Sequence, residues 1–158
     1  MIKITKDQIV NEDMIESICE YNSEALRRQA KIARENNCLR EFQSGKGYKT
    51  IIIFEDNVKM LAPLYPDRYM NRIADKDSFL IADPKRYMLR KDYIREICTK
   101  PNEQQKRDIK NAKDANNYIN LTKGKKVQYY IFMKTGKIYG LHLIKEDLFE
   151  KGGEEDEE

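Results

Sequence analysis

Asp13-Met-Ile-Glu-Ser-Ile-Cys19 returns as Asp92-Tyr-Ile-Arg-Glu-Ile-Cys98, and the offset of 79 residues between the two stretches decides the fold. The same offset carries Arg28, Lys31, Ala33, Asn37, Gly45, Lys46 and Ile52 onto Arg107, Lys110, Ala112, Asn116, Gly124, Lys125 and Ile131. Conservative pairs fill the intervals, among them Arg34/Lys113, Glu35/Asp114 and Phe54/Met133. A period this long exceeds a solenoid unit and matches a small domain duplicated in tandem. The expected organisation is a first repeat over 1–79, a second over 80–151, and a disordered acidic tail over 152–158 after Gly152-Gly153.

Within the first repeat, a short strand around Ile2–Thr5 precedes an extended segment of about Gln8–Cys19. Ser23 is a plausible N-cap for a helix running to about Asn36, with Leu26, Ala30 and Ala33 forming its apolar stripe. Asn37 and its counterpart Asn116 suit the left-handed residue that ends a helix. Lys49–Phe54 and Val58–Leu64 form a hairpin about Glu55-Asp56-Asn57, and Pro66 opens a short helix, Pro66–Ala74. The second repeat runs through strands Phe79–Ala82 and Arg86–Thr99 and a helix from about Asn102 to Ala115. A hairpin of Val127–Met133 with Lys137–Ile144 follows, then a last helix, Glu146–Glu150. Each repeat is therefore expected to be β-β-α-β-β-α, and the fold class α+β. Ile51-Ile52-Ile53-Phe54 and Tyr130-Ile131-Phe132-Met133 are apolar on both faces, where a half-exposed strand would alternate. One face covers the helix. The other is buried either against the twin repeat or in a larger oligomer.

A repeat near 80 residues buries only a modest core alone, so packing against its twin or other subunits is expected. No apolar run approaches the roughly 20 residues of a membrane span, and Met1-Ile-Lys-Ile-Thr-Lys lacks the apolar block of a signal peptide. Cys19, Cys38 and Cys98 read as reduced, buried small hydrophobes of a cytoplasmic protein. The net charge of +3 conceals an asymmetry. Residues 1–79 hold 13 Lys/Arg and 13 Asp/Glu; residues 80–153 hold 17 and 9, a net +8; Glu154–Glu158 contributes −5. The basic second half is either a solubilising surface or a polyanion-binding one.

Little in the sequence points to catalysis. His142, the one histidine, reads as structural, no cysteine pair has metal-ligand spacing, and no cofactor or metal is expected. Glu55-Asp56 with Lys59 resembles the acidic-plus-lysine set of some nucleases, but the second repeat carries Lys134-Thr135 instead of the acidic pair. Gly45-Lys46-Gly47-Tyr48-Lys49 lacks the full P-loop spacing. That loop and its counterpart Lys123-Gly124-Lys125-Lys126 are nevertheless the candidate site. Glycine lets the backbone approach a partner, and the lysines suit phosphate oxygens; an ordinary solvated turn inherited through the duplication is the plainer account. No aromatic stacking signature points to RNA.

Through Ile9-Val10, Ser23, Arg28, Ala33-Arg34, Leu39, Gly45, Ile51–Phe54, Leu61, Pro66 and Ile73, the chain resembles the RemA family of small bacterial regulators of biofilm-matrix genes. The second repeat resembles it less closely, so the chain looks like two fused members. The resemblance implies a non-catalytic DNA-binding transcriptional regulator or nucleoid-associated protein. It also implies ring-shaped homo-oligomers that present a repeated basic surface to double-stranded DNA. In the family, two basic residues after the loop glycine, and an arginine early in the second strand, contact DNA. By position the loop pair falls on Lys46 and Gly47 in the first repeat and on Lys125 and Lys126 in the second. The strand arginine falls on Met14 and Tyr93, and so is missing twice. Lys49, Lys123, Arg86, Arg90 and Lys91 are secondary DNA-contact candidates by charge and position. The expected division of labour gives most phosphate contact to the second repeat and assembly to the first. The alternative is an assembly or protein-interaction module that has lost DNA binding, since lysine lacks the planar fork of arginine. The tail either competes with DNA for the basic loop or is a plain solubilising terminus.

Overall fold

The computed structural model describes residues 1–42, 47–83 and 86–145. Lys46, the expected helix 146–150 and the acidic tail lie outside the described residues. The first repeat contains β1 (Ile2–Thr5), β2 (Gln8–Val10), β3 (Ile15–Glu20), α1 (Glu24–Glu35), β4 (Leu39–Arg40), β5 (Thr50–Phe54), β6 (Lys59–Ala62) and α2 (Pro66–Met70). The second contains β7 (Phe79–Ala82), β8 (Tyr87–Arg90), β9 (Ile94–Cys98), α3 (Glu103–Asp114), β10 (Tyr118–Asn120), β11 (Tyr129–Met133) and β12 (Ile138–Leu141). The fold is α+β in two tandem units, with two more strands per unit than the sequence pattern suggests.

Both extra strands have local causes. The long extended segment of each repeat is interrupted by a 3-10 turn, Glu12–Met14 and Lys91–Tyr93. In the first, the Asn11 side chain accepts the Asp13 N–H at 3.0 Å and turns the chain. After each helix a short strand pairs in parallel with the second hairpin strand, β4 with β6 and β10 with β12. Helix α2 stops at Met70, short of Ala74, whose N–H is donated to Glu12 Oε2 at 3.1 Å.

The helices begin and end as their caps dictate. Ser23 Oγ accepts the Leu26 N–H at 3.3 Å, whereas Asn102 and Gln105 form a reciprocal capping box at 2.8 and 2.9 Å. Asn37 and Asn116 adopt φ of 60° and 61°, and Cys38 and Asn117 each return an N–H at 2.7 Å to the carbonyls of Ala33 and Ala112. This αL termination is the same in both repeats.

The sheets do not respect the sequence repeats. A six-stranded sheet runs β4-β6-β5-β3-β8-β7, a four-stranded one β10-β12-β11-β9, and β1-β2 stands as a separate hairpin. The first hairpin of the second repeat thus completes the sheet of the first, antiparallel to β3 with Ser17 opposite Leu89, Ile18 opposite Met88 and Cys19 opposite Tyr87. The two-faced strands are explained by this arrangement. Ile51 and Ile53 join Leu26 and Ala30 in a core shared with Ile131, Met133, Tyr139 and Leu141 of the second repeat. Ile52 and Phe54 face the opposite side, under Ile2, Ile4, Tyr69 and Met70. Of the two burial routes open in the sequence, packing against the twin repeat accounts for one face of β11 and one of β5.

Candidate nucleic-acid interface

The loop before β11 is built to hold its lysines outward. Asn120 Oδ1 accepts both the N–H (2.9 Å) and the hydroxyl (2.7 Å) of Thr122, a buried residue. Lys123 then takes φ 55° and Gly124 φ 87°, and the Lys125 N–H closes the turn on Thr122 O at 3.2 Å. A side chain at position 124 would need the left-handed conformation that glycine adopts without strain. His142 Nδ1 lies 2.8 Å from the Lys126 carbonyl and ties the far end of the loop to the segment after β12. The expected structural role of His142 is consistent with that contact, although it falls just beyond the strand rather than within it. Lys123, Lys125 and Lys126 are all exposed on this braced backbone.

The other candidates scatter. Lys49 is exposed, its Nζ 5.6 Å from the centre of the Tyr65 ring. Arg86 is exposed and pairs with Glu20 at 3.4 Å across the junction between the repeats. Lys91 is half-buried at the start of the 3-10 turn. Arg90 corrects the expectation of a DNA contact: it is buried, and its guanidinium donates to the carbonyls of Ile15 (2.7 Å) and Glu12 while stacking over Phe79 and Tyr93. An arginine so buried and committed holds the second repeat's hairpin onto the first repeat and is withdrawn from the surface that a phosphate could reach. The cysteines are likewise only partly as expected. Cys19 is buried, its thiol pushed by desolvation from an ordinary value of 9.0 up to about 12, while Cys38 and Cys98 are only half-buried.

A buried polar network escaped the sequence reading. Glu16, on β3, accepts from the Thr135 hydroxyl and from Tyr139 Oη at 2.6 Å, with Lys137 Nζ 3.5 Å away. Lys137 also reaches Asn57 Oδ1 at 3.1 Å, and Ser17 Oγ lies 2.8 Å from the Tyr139 hydroxyl. Every partner crosses between repeats. Low dielectric strengthens such contacts and makes an unpaired member costly. The nearby Lys59 ammonium is shifted below the ordinary lysine range, first by burial and then by Lys137. The only hint in the sequence was a charged residue, Glu16, inside an apolar strand. Lys137 and Arg90 are thus two of the 17 basic residues of the second half that do not contribute to a binding surface. The nuclease-like set is dispersed too, because Glu55 and Asp56 are exposed while Lys59 points inward. Among the described residues no three potential ligands converge on a metal site, and no helix is long and apolar enough to cross a membrane.

Exposed basic residues lie on both long helices and on the 123–126 loop. Helices α1 and α3 each expose four basic residues, Arg27, Arg28, Lys31 and Arg34 against Lys106, Arg107, Lys110 and Lys113, and do not distinguish the repeats. The loops do, with Lys123, Lys125 and Lys126 in one and a single counterpart, Lys46, in the other. A family model described as RemA-like, extracellular matrix regulatory protein A-like, matches residues 1–73 and again residues 85–151. No curated protein matches the chain.

Proposed function

The chain belongs to the RemA-like family, and from that premise we propose that it is a non-catalytic, cytoplasmic DNA-binding protein, a transcriptional regulator of matrix genes or a nucleoid-associated protein. It grips duplex phosphates through Lys123, Lys125 and Lys126, with Lys46, Lys49, Arg86 and Lys91 as lesser contacts, multiplied by self-association. The observation that carries the reading is the braced 122–126 loop, which holds three exposed lysines, two of them, Lys125 and Lys126, at the positions where the family resemblance locates DNA contact. A loop already ordered loses little entropy on binding. Contacts to phosphate carry no sequence information, so preference among sequences arises from DNA curvature and deformability. Affinity should fall steeply with salt; about three phosphates neutralised per chain gives a slope of about −3 in log K against log salt. A few lysines per chain bind feebly, and repetition along an assembly converts them into avidity.

Fluorescence anisotropy of a random-sequence duplex at two salt concentrations tests the reading. The expected result is a salt-steep rise, abolished by Lys125→Glu with Lys126→Glu and weakened less by Lys46→Glu. Flat anisotropy at low salt rejects DNA binding, and equal losses reject the division of labour. One observation favours the second reading, an assembly module without DNA binding. The strand-arginine positions hold Met14 and Tyr93, and the Tyr93 hydroxyl is occupied by Asp13 O at 2.6 Å.

A further inference from the structure

The two repeats differ in one respect that their shared topology makes informative. Strand β3 is enclosed, with β5 on one side and β8 on the other. Its counterpart β9 pairs, among the described residues, with β11 alone and ends the four-stranded sheet. What fills the second side of β3 is the first hairpin of the following repeat. The counterpart of that hairpin is β1-β2, which pairs with no other strand among the described residues. Open edges are ready templates for another strand. We propose that β9 of one chain takes up the β1-β2 hairpin of a second copy, head to tail, so that the junction between repeats is reproduced between chains. The proposal specifies the surface for the self-association invoked above and stands whether or not the protein binds DNA.

The constant offset dictates the register. Moving the observed β3–β8 pairs by 79 residues places Glu96 opposite Val10, Ile97 opposite Ile9 and Cys98 opposite Gln8 of the next chain. Those last three residues are all of β2, and Glu96, Ile97 and Cys98 belong to β9. Burial agrees. Ile9 is 65% exposed, one of the few large apolar side chains left in water, whereas its counterpart Met88, already docked on β3, is 0% exposed. Residues of β9 are half-exposed where those of β3 are buried.

Charge agrees independently. Glu16 is held by the Thr135 turn and Lys137 of the docked repeat. Its counterpart on β9 is Arg95, and the counterpart of the Thr135 turn is Glu55-Asp56-Asn57. The positions of Glu16 and Thr135 thus become Arg95 and Asp56, with Val58 in place of Lys137, so the acidic turn of the next chain meets a basic residue. The Arg95 side chain is 55% exposed in the single chain, with Glu96 (3.1 Å) and Asp108 (3.9 Å) as its ionic neighbours among the described residues. Beside it lies an open cleft of about 320 Å³ lined by Arg95, Asp108, Asn111, Phe132 and Ile138. The same position in the first repeat, between Gln29, Ile32 and Lys59, is where Asn116, Asn117 and Lys137 dock, Gln29 Nε2 donating to Asn116 O at 2.6 Å. A head-to-tail contact of this kind is heterologous: it propagates until a ring closes or a filament grows.

Light scattering without DNA tests the interface. The full chain is expected to run as a multiple of 18.8 kDa, and Ile9→Glu, at an exposed site, to run as a single chain with an unchanged thermal transition. Arg95→Asp should weaken association at least about tenfold, and Asp56→Arg added to it should restore the wild-type mass. Ile9→Glu keeps a working β9 edge and Arg95→Asp keeps a working hairpin. Mixed where each alone is a single chain, they should give one capped pair of twice the chain mass. A wild type of single-chain mass at high concentration, wild-type assembly by Ile9→Glu, failure of the charge swap to restore mass, or a mixture without the pair would each overturn the proposal. Lost assembly would lower the avidity of DNA binding, but Lys125→Glu with Lys126→Glu leaves the β9 edge and the β1-β2 hairpin intact, so the two readings fail separately.

Discussion

Ile15–Glu20 and Ile94–Cys98 hold the same place in their repeats, yet the first lies in the interior of a six-stranded sheet and the second on the rim of a four-stranded one. The residues diverged to suit. Glu16 is fully buried because Lys137, Thr135 and Tyr139 arrive from the other repeat to satisfy it, while Arg95 keeps its charge in water. A duplicated sequence therefore does not imply duplicated environments, since one repeat receives a neighbour inside the chain and the other does not.

Glu16→Ala is the severest test of that contrast. It strands the buried Lys137 ammonium and removes the acceptor of the buried Tyr139 hydroxyl, and should lower the unfolding free energy by about 3–5 kcal/mol in urea titration. Arg95→Ala in the single-chain Ile9→Glu background should cost under about 0.5 kcal/mol. Comparable costs would mean that the two strands are not distinguished by enclosure.

Arg90→Ala should follow at about 2–3 kcal/mol, because it removes charge-assisted bonds to Ile15 and Glu12 at the junction. The equivalent Asn11→Ala, which loses one bond to the Asp13 N–H, should cost about 1 kcal/mol. Where DNA binding is measurable, Arg90→Ala should leave its salt slope unchanged, whereas Lys126→Ala should lower it by about 1.

The cysteines separate the strands by pH. Cys19 has a thiol pKa raised from 9.0 to about 12, so its contribution is complete below pH 9 and is lost as pH climbs toward 12. Tyr93 and Tyr118, raised to about 12, act in the same sense, and Lys59, shifted down, in the opposite one. Between pH 9 and about 10.5 the Cys19 thiol alone should remove about 2 kcal/mol. Cys19→Ala should flatten that part of the alkaline decline. Cys98→Ala should preserve nearly all of it, and an equal effect from both would erase the distinction.

The smallest expected difference lies at the helix starts. Asn102→Ala, breaking a capping box, should cost about 1 kcal/mol, and Ser23→Ala, with one longer bond, about 0.5 kcal/mol. Thermal melts of the two variants rank them directly.

The duplication, the helices with their Asn-terminated ends, the main hairpins and the lysine-rich loop were all legible in the residues, because each is set by local periodicity, capping and turn chemistry. The interrupting 3-10 turns and the short strands after the helices were not. Two or three residues give no period, and their pairing partners lie far along the chain. The lysines of the 123–126 loop read correctly as exposed, since a polar glycine-bearing turn has nowhere else to go. Arg90 read as a DNA-contact candidate and Lys137 as one basic residue of the second half, and both are interior, because what buries them is the other repeat. Sequence alone determined that two sibling α+β units exist and where positive charge accumulates, through the offset of 79 and the residue types. The tertiary structure decided which edge is filled, which charges are sequestered and which strand is left open, because those outcomes depend on contacts between residues 68 to 123 positions apart.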